Sequence, residues 1–116
     1  MSQSPARILL NEARLLLAAP HQWTKWKSRR KSKDGIIAMC LQEAILVASR
    51  RVGIPAKVGY TAVKAVLPMP KHQQLAMRPR LTRKTVSWQS IPAFNDNCGT
   101  TYAVMMKTLD RAIEMT

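Results

Sequence analysis

The sequence predicts a mainly α protein: a small single-domain helical bundle of three to four helices with two long basic irregular segments. Three observations predict it. A chain of 116 residues has room for one core. Hydrophobic residues at 47% suffice to close that core, which excludes a wholly disordered chain. Apolar positions also recur at helical spacing, between Ser-Pro, Gly and Thr boundary signals. The single domain spans residues 1–116, with 20–35 and 68–90 as loops or arms.

Ser4-Pro5 opens the first helix, because Ser caps orphan amides and Pro at the first helical position gives up no bond. Leu9, Ala13, Leu16 and Leu17 then follow the helical stripe until Pro20 stops it, giving a helix over 5–18. Residues 20–35 read as irregular. Lys25, Lys27, Arg29, Arg30, Lys31 and Lys33 put six cations into nine residues, with Trp23 and Trp26 just ahead. Trp23 is expected to pack on the core, as a large aromatic near a helix end usually does.

Asp34-Gly35 reads as the start of the second helix, with Asp34 as its cap. Ile37, Cys40, Leu41, Ala44, Ile45 and Ala48 form its stripe, with Cys40 as a small core hydrophobe. Arg50 and Arg51 suit the last turn, and Gly53 ends the helix. Ala56 to Leu67 reads as a third helix with Ala62, Val63, Val66 and Leu67 inward, although Gly59 and the valines leave a strand open.

Pro68-Met69-Pro70 ends that element, and residues 68–90 read as a Pro-rich basic arm or lid. It carries Lys71, His72, Arg78, Arg80, Arg83 and Lys84, with room for a short β excursion within 81–88. Phe94, Asn95, Asp96, Gly99 and Thr101 read as a structural loop: Phe94 pins it on the core, Gly99 allows the turn, and the polar residues organise entry to the last helix. That helix starts at a Thr100 or Thr101 cap and lines Tyr102, Met105, Met106, Leu109, Ala112 and Ile113 on one face. It is expected to pack on the second helix, leaving Lys107, Asp110 and Arg111 at the surface.

Nineteen Lys and Arg against six Asp and Glu give a net charge of +13. Such an excess attracts polyanions, so nucleic acid or a nucleoprotein complex is the first partner expected, while an acidic host protein or an anionic membrane would satisfy the same charge. Lys25, Trp26, Lys27, Arg29, Arg30, Lys31 and Lys33 are the candidate contact residues of the first basic segment. Lys71, Arg78, Arg80, Arg83 and Lys84 are those of the second. Cations interleaved with aromatics suit a single-stranded backbone with unstacked bases. No element reads as a base-reading recognition helix, so sequence-specific readout is not expected.

Cys40 and Cys98 lack the spacing of a metal site or a disulfide framework, so no metal, no cofactor and free thiols are expected. No apolar run is long enough for a membrane span, and Met1-Ser2-Gln3-Ser4-Pro5 lacks the charged start of a secretory signal. A cytoplasmic protein without membrane contact is therefore expected. His21 and His72 have no acid, base or nucleophile arrangement around them, and an enzyme is not expected.

The chain also carries a pattern made of Trp23-Thr24, Cys40 with Ala44-Ile45, Phe94-Asn95-Asp96, Gly99 with Thr101, and Leu109 to Ile113. This pattern resembles an uncharacterised family of small bacterial and phage proteins. The resemblance spans most of the chain and is specific over its last 25 residues. It implies a helical fold and a phage or mobile-element setting, with no biochemical role attached. Phe94 stands where that family more often shows Trp, Glu43 where it shows Gly, Thr100 where it shows Arg, and Val104 where it shows Glu. With Thr101 as cap, a Glu at 104 would have completed a capping box. The setting admits a second function class: an inhibitor or regulator of a host complex, such as an anti-CRISPR or other anti-defence protein.

Overall fold

The computed structural model describes residues 3–27, 29–67, 90–96 and 99–116. The order is α1 (Pro5–Leu16), a 3₁₀ turn (Pro20–Gln22), β1 (Arg29–Lys31), β2 (Ile37–Met39), α2 (Leu41–Val52), α3 (Ala56–Lys64), α4 (Ile91–Asp96) and α5 (Tyr102–Glu114). The protein is mainly α, as expected. Its described residues form five α-helices, the extra one being α4, together with a two-stranded antiparallel hairpin.

Local chemistry sets most boundaries. In α1 the Ser4 hydroxyl accepts from the Arg7 N–H at 3.2 Å, and Leu9, Leu10 and Ala13 are buried. The freed Leu17 carbonyl at its far end accepts from the Tyr102 hydroxyl at 2.6 Å, which satisfies an orphan group and joins α1 to α5. Thr101 is the cap of α5, its hydroxyl accepting from the Val104 N–H at 3.2 Å. Gly53 closes α2 in the left-handed region at φ 71.

The core gathers Leu9, Leu10 and Leu17 with Leu41 and Ile45 of α2, Val63 of α3, Phe94 of α4, and Met105 and Leu109 of α5. Gly59 lies where α3 meets both α1 and α2. A Cβ there would lie 2.9 Å from both Ile45 Cγ2 and Leu9 Cδ2, so the bare backbone lets α3 approach its neighbours closely. The helix reading of this segment is the one that holds.

Four expectations are corrected. Asp34-Gly35 does not begin a helix; it is the hairpin turn between β1 and β2, with Gly35 at φ 81 and the Ser32 N–H donating to the Ile36 carbonyl at 2.8 Å. A three-residue loop with glycine in the left-handed region is a common hairpin connection. The apolar run from Ile36 fits both a helical and an extended period, and Ile37–Met39 is extended here, paired antiparallel with β1.

Cys40 is accordingly not in mid-stripe. It caps α2, and its sulfur accepts from the Glu43 N–H at 3.4 Å. Residues 91–96 form a helix rather than a turn, because Ile91, Phe94 and Asn95 face inward together. Finally, α5 packs mainly on α1 and α3, while α2 packs mainly on α1. The tie from Tyr102 to Leu17 and the ion pair of Arg14 with Asp110 both draw α5 toward α1.

Candidate functional site

Asn95 is fully buried and uses all of its hydrogen-bonding capacity. Its Oδ1 accepts from Trp23 Nε1 at 2.6 Å and from the Leu41 backbone N–H at 3.0 Å. Its Nδ2 donates to the Thr24 carbonyl at 3.0 Å and to Asp96 Oδ1 at 3.1 Å. One side chain thus joins the segment after the 3₁₀ turn, the start of α2 and the end of α4. The Thr24 N–H donates to the Met39 carbonyl at 3.0 Å, so this segment also borders β2, where Trp23 forms a parallel bridge with Met39.

Asp96 extends the clamp outward. Its Oδ1 accepts from the Trp26 backbone N–H at 2.7 Å. Trp26 stands at φ 70, the only described non-glycine residue with positive φ, and its side chain is 74% exposed. For a bulky residue that conformation is an outlier costing about 1–2 kcal/mol. The protein holds a strained backbone and presents a bare indole to solvent, whereas Trp23 is half-buried beside Tyr102, their ring centroids 6.2 Å apart.

The cations of the first basic segment surround this indole in sequence. Lys25 is half-buried, with its Nζ 5.6 Å from the centroid of the Trp23 ring. Lys27 is exposed beside Trp26, and together they line a cleft of about 170 Å³ with Cys40, Gln42, Pro92 and Asp96. Arg29, Arg30 and Lys31 are all exposed on β1, and Lys33 is exposed in the hairpin turn. Arg29 Nη2 lies 3.0 Å from Glu43 Oε1, which leans it toward α2. Arg30, one residue on, belongs to the opposite face of the strand.

Lys71, Arg78, Arg80, Arg83 and Lys84 lie outside the described residues, as does the β excursion within 81–88. Only the first candidate group falls within the described residues, and its members are divided between two clefts and the two faces of β1. Phe94 and Asn95 are buried, Thr101 caps α5, and Gly99 is exposed just before it. Phe94, Asn95 and Asp96, read as part of a loop, lie on α4 instead. What sequence reasoning missed is the reach of Asn95 and Asp96, whose partners lie 54 to 72 positions away. Nothing local signals such pairings.

Burial pushes the Cys40 thiol above its ordinary pKa, and the amide hydrogen bonds from Glu43 and Gln42 only partly oppose this. Cys40 therefore stays a thiol, poorly suited to nucleophilic work. Among the described residues no three His, Cys, Asp or Glu side chains gather as a metal site. No described helix is long and apolar enough to cross a membrane.

Fold and site together define a small mainly α protein in which a buried asparagine ties the segment leading into a basic hairpin to the start of α2. Residues 1–115 match a family of unknown function (DUF6197), and the chain belongs to that family. Membership of an uncharacterised family is what the sequence pattern implied. Comparison with curated proteins and with solved structures gave no match.

Proposed function

We propose that the protein binds nucleic acid, or the nucleic acid of a nucleoprotein complex, without reading its sequence, and that Trp26 with the basic hairpin is the contact surface. The observation that carries this reading is Trp26, exposed and held at φ 70 by Asp96. Strain kept at an exposed position is a common mark of function, and an indole offers a stacking face to any base. Lys27, Arg30, Lys31 and Lys33 supply positive charge for the backbone. The role is that of a binding protein, not an enzyme, in the cytoplasm, in a phage or mobile-element setting.

The second reading is an inhibitor or regulator of a host complex, of the anti-CRISPR or other anti-defence kind. Ile36 and Ile37 favour it, because both are exposed on the same hairpin as the cations. Apolar residues rimmed by Arg and Lys also suit an acidic protein surface.

Titration of the purified protein with a short single-stranded oligonucleotide, at about 50 mM salt and upward, separates the readings. If Lys27, Arg30, Lys31 and Lys33 each neutralise one phosphate, the logarithm of the binding constant falls by about 3 per tenfold rise in salt, at about 0.7 per contact. Absence of binding at about 50 mM salt, where electrostatic attraction is strong, overturns direct binding and leaves the protein-partner reading.

A further inference from the structure

A second cleft, of about 260 Å³, lies between the 3₁₀ turn and the hairpin. Among the described residues, His21 and Arg30 contribute the ionisable groups of its wall, and no carboxylate lines it. Trp23 and Ile36 contribute apolar surface, and Thr24 and Ser32 contribute hydroxyls. We propose that this cleft binds one nucleotide unit, a phosphate with its attached heteroaromatic base. The proposal deepens the nucleic-acid reading and rests on it.

The chemistry of the wall is divided in the way such a unit is divided. Arg30 carries a planar fork that matches two phosphate oxygens. Ser32 Oγ already accepts from the Ile36 N–H at 3.1 Å, which leaves its O–H to donate to an anion. The Trp23 Nε1–H is committed to Asn95, so the indole offers the cleft carbon surface against which a base can lie. Arg29 is drawn to Glu43, whereas Arg30 lines the cleft, so the two adjacent arginines serve different places. The volume lies just under the roughly 300 Å³ at which pockets for drug-sized ligands begin, which suits one unit and not a run of them.

The ligand can be a unit within a strand or a free mononucleotide, and both present the same chemistry. The full chain is titrated with adenosine 5′-monophosphate, uridine 5′-monophosphate, adenosine, inorganic phosphate and a short single-stranded oligonucleotide, followed by amide and side-chain NMR shifts. Expected are mononucleotide-induced shifts at His21, Ser32 and Ile36, with adenosine and inorganic phosphate each binding about tenfold or more weakly. His21→Ala with Arg30→Gln abolishes those shifts, while the dispersion of the remaining spectrum shows the variant folded. Oligonucleotide binding with the same shifts assigns the cleft to a unit of a strand. Mononucleotide binding without oligonucleotide binding supports the cleft and assigns it to free nucleotide, overturning only the reading of the preceding section. Oligonucleotide binding with no mononucleotide shift at these residues overturns the cleft alone. Inorganic phosphate binding as tightly as the mononucleotide also overturns it, leaving a simple anion site.

Discussion

Replacing Asn95 with Ala removes the acceptor of two N–H groups and the donor to a buried carbonyl. The Leu41 N–H and the Thr24 carbonyl are stranded inside, and Trp23 Nε1–H is stranded where it is only partly buried. At about 1–3 kcal/mol for each buried group left unpaired, the first two alone cost about 2–6 kcal/mol. The whole stability of a domain is about 5–15 kcal/mol, so this is a large share of it. Thermal unfolding followed by circular dichroism reads the loss: about 4 °C or more per kcal/mol at this size gives a drop of at least about 8 °C. A drop under about 4 °C would refute the clamp as a principal tie.

Asn95→Asp sharpens the test, because it keeps the acceptors, removes both donors and sets a carboxylate against Asp96. Burial and the neighbouring charge both raise the folded pKa of the new carboxyl above its unfolded value. Its charge penalty is therefore absent at low pH and grows as pH rises through the folded pKa. The variant should lose more stability at about pH 7 than at about pH 4. Equal losses at both would contradict the burial of this site.

Other outcomes are equally open to measurement. Gly59→Ala should destabilise by about 1 kcal/mol net, the overpacking against Ile45 and Leu9 exceeding the gain in helix propensity; a stabilised variant in denaturant titration would show that α3 has slack. Cys40, in a Cys98→Ser background, should alkylate more slowly at about pH 8 than a small free thiol, because burial raises its pKa; a faster rate would contradict that. Replacing Lys25, Lys27, Arg29, Arg30, Lys31 and Lys33 with Gln should weaken oligonucleotide binding and flatten its salt dependence, with the melting temperature nearly unchanged. A collapse in stability would instead make the hairpin charges structural.

How much was legible in the sequence varies with how local the cause is. The starts of α1 and α5 could be read because Ser4 and Thr101 each accept from an amide three residues on, and Pro5 suits the first helical position. The end of α2 could be read from Gly53, whose left-handed conformation few other residues adopt. The start of α2 was misread because Ile37, Cys40 and Leu41 satisfy a helical period, although the chain between Ile36 and Met39 is extended. Gly59 looked like a weakness of α3, yet its value lies in what Leu9 and Ile45 bring to within reach from other helices.

The candidate site was legible in composition and not in geometry. Six cations and an adjacent Trp mark the segment, and Trp23 was expected to pack, but the bonds to Asn95 and Asp96 that fix both tryptophans have no local signal. Phe94-Asn95-Asp96 stood out as a motif without revealing that it holds the 23–26 segment. The left-handed conformation of Trp26 has no sequence signal, since Trp is not a residue type that favours it.

The most direct test of the proposed contact is Trp26→Gly, with oligonucleotide affinity at about 50 mM salt and melting temperature measured on the same sample. Glycine removes the stacking face and also relieves a backbone strain of about 1–2 kcal/mol. Expected is a loss of affinity of about 5- to 150-fold, the equivalent of one base stack at 1–3 kcal/mol, with a melting temperature equal to or above that of the parent. Unchanged affinity, or a fall in melting temperature large enough to explain the lost binding, would contradict a displayed tryptophan as the contact.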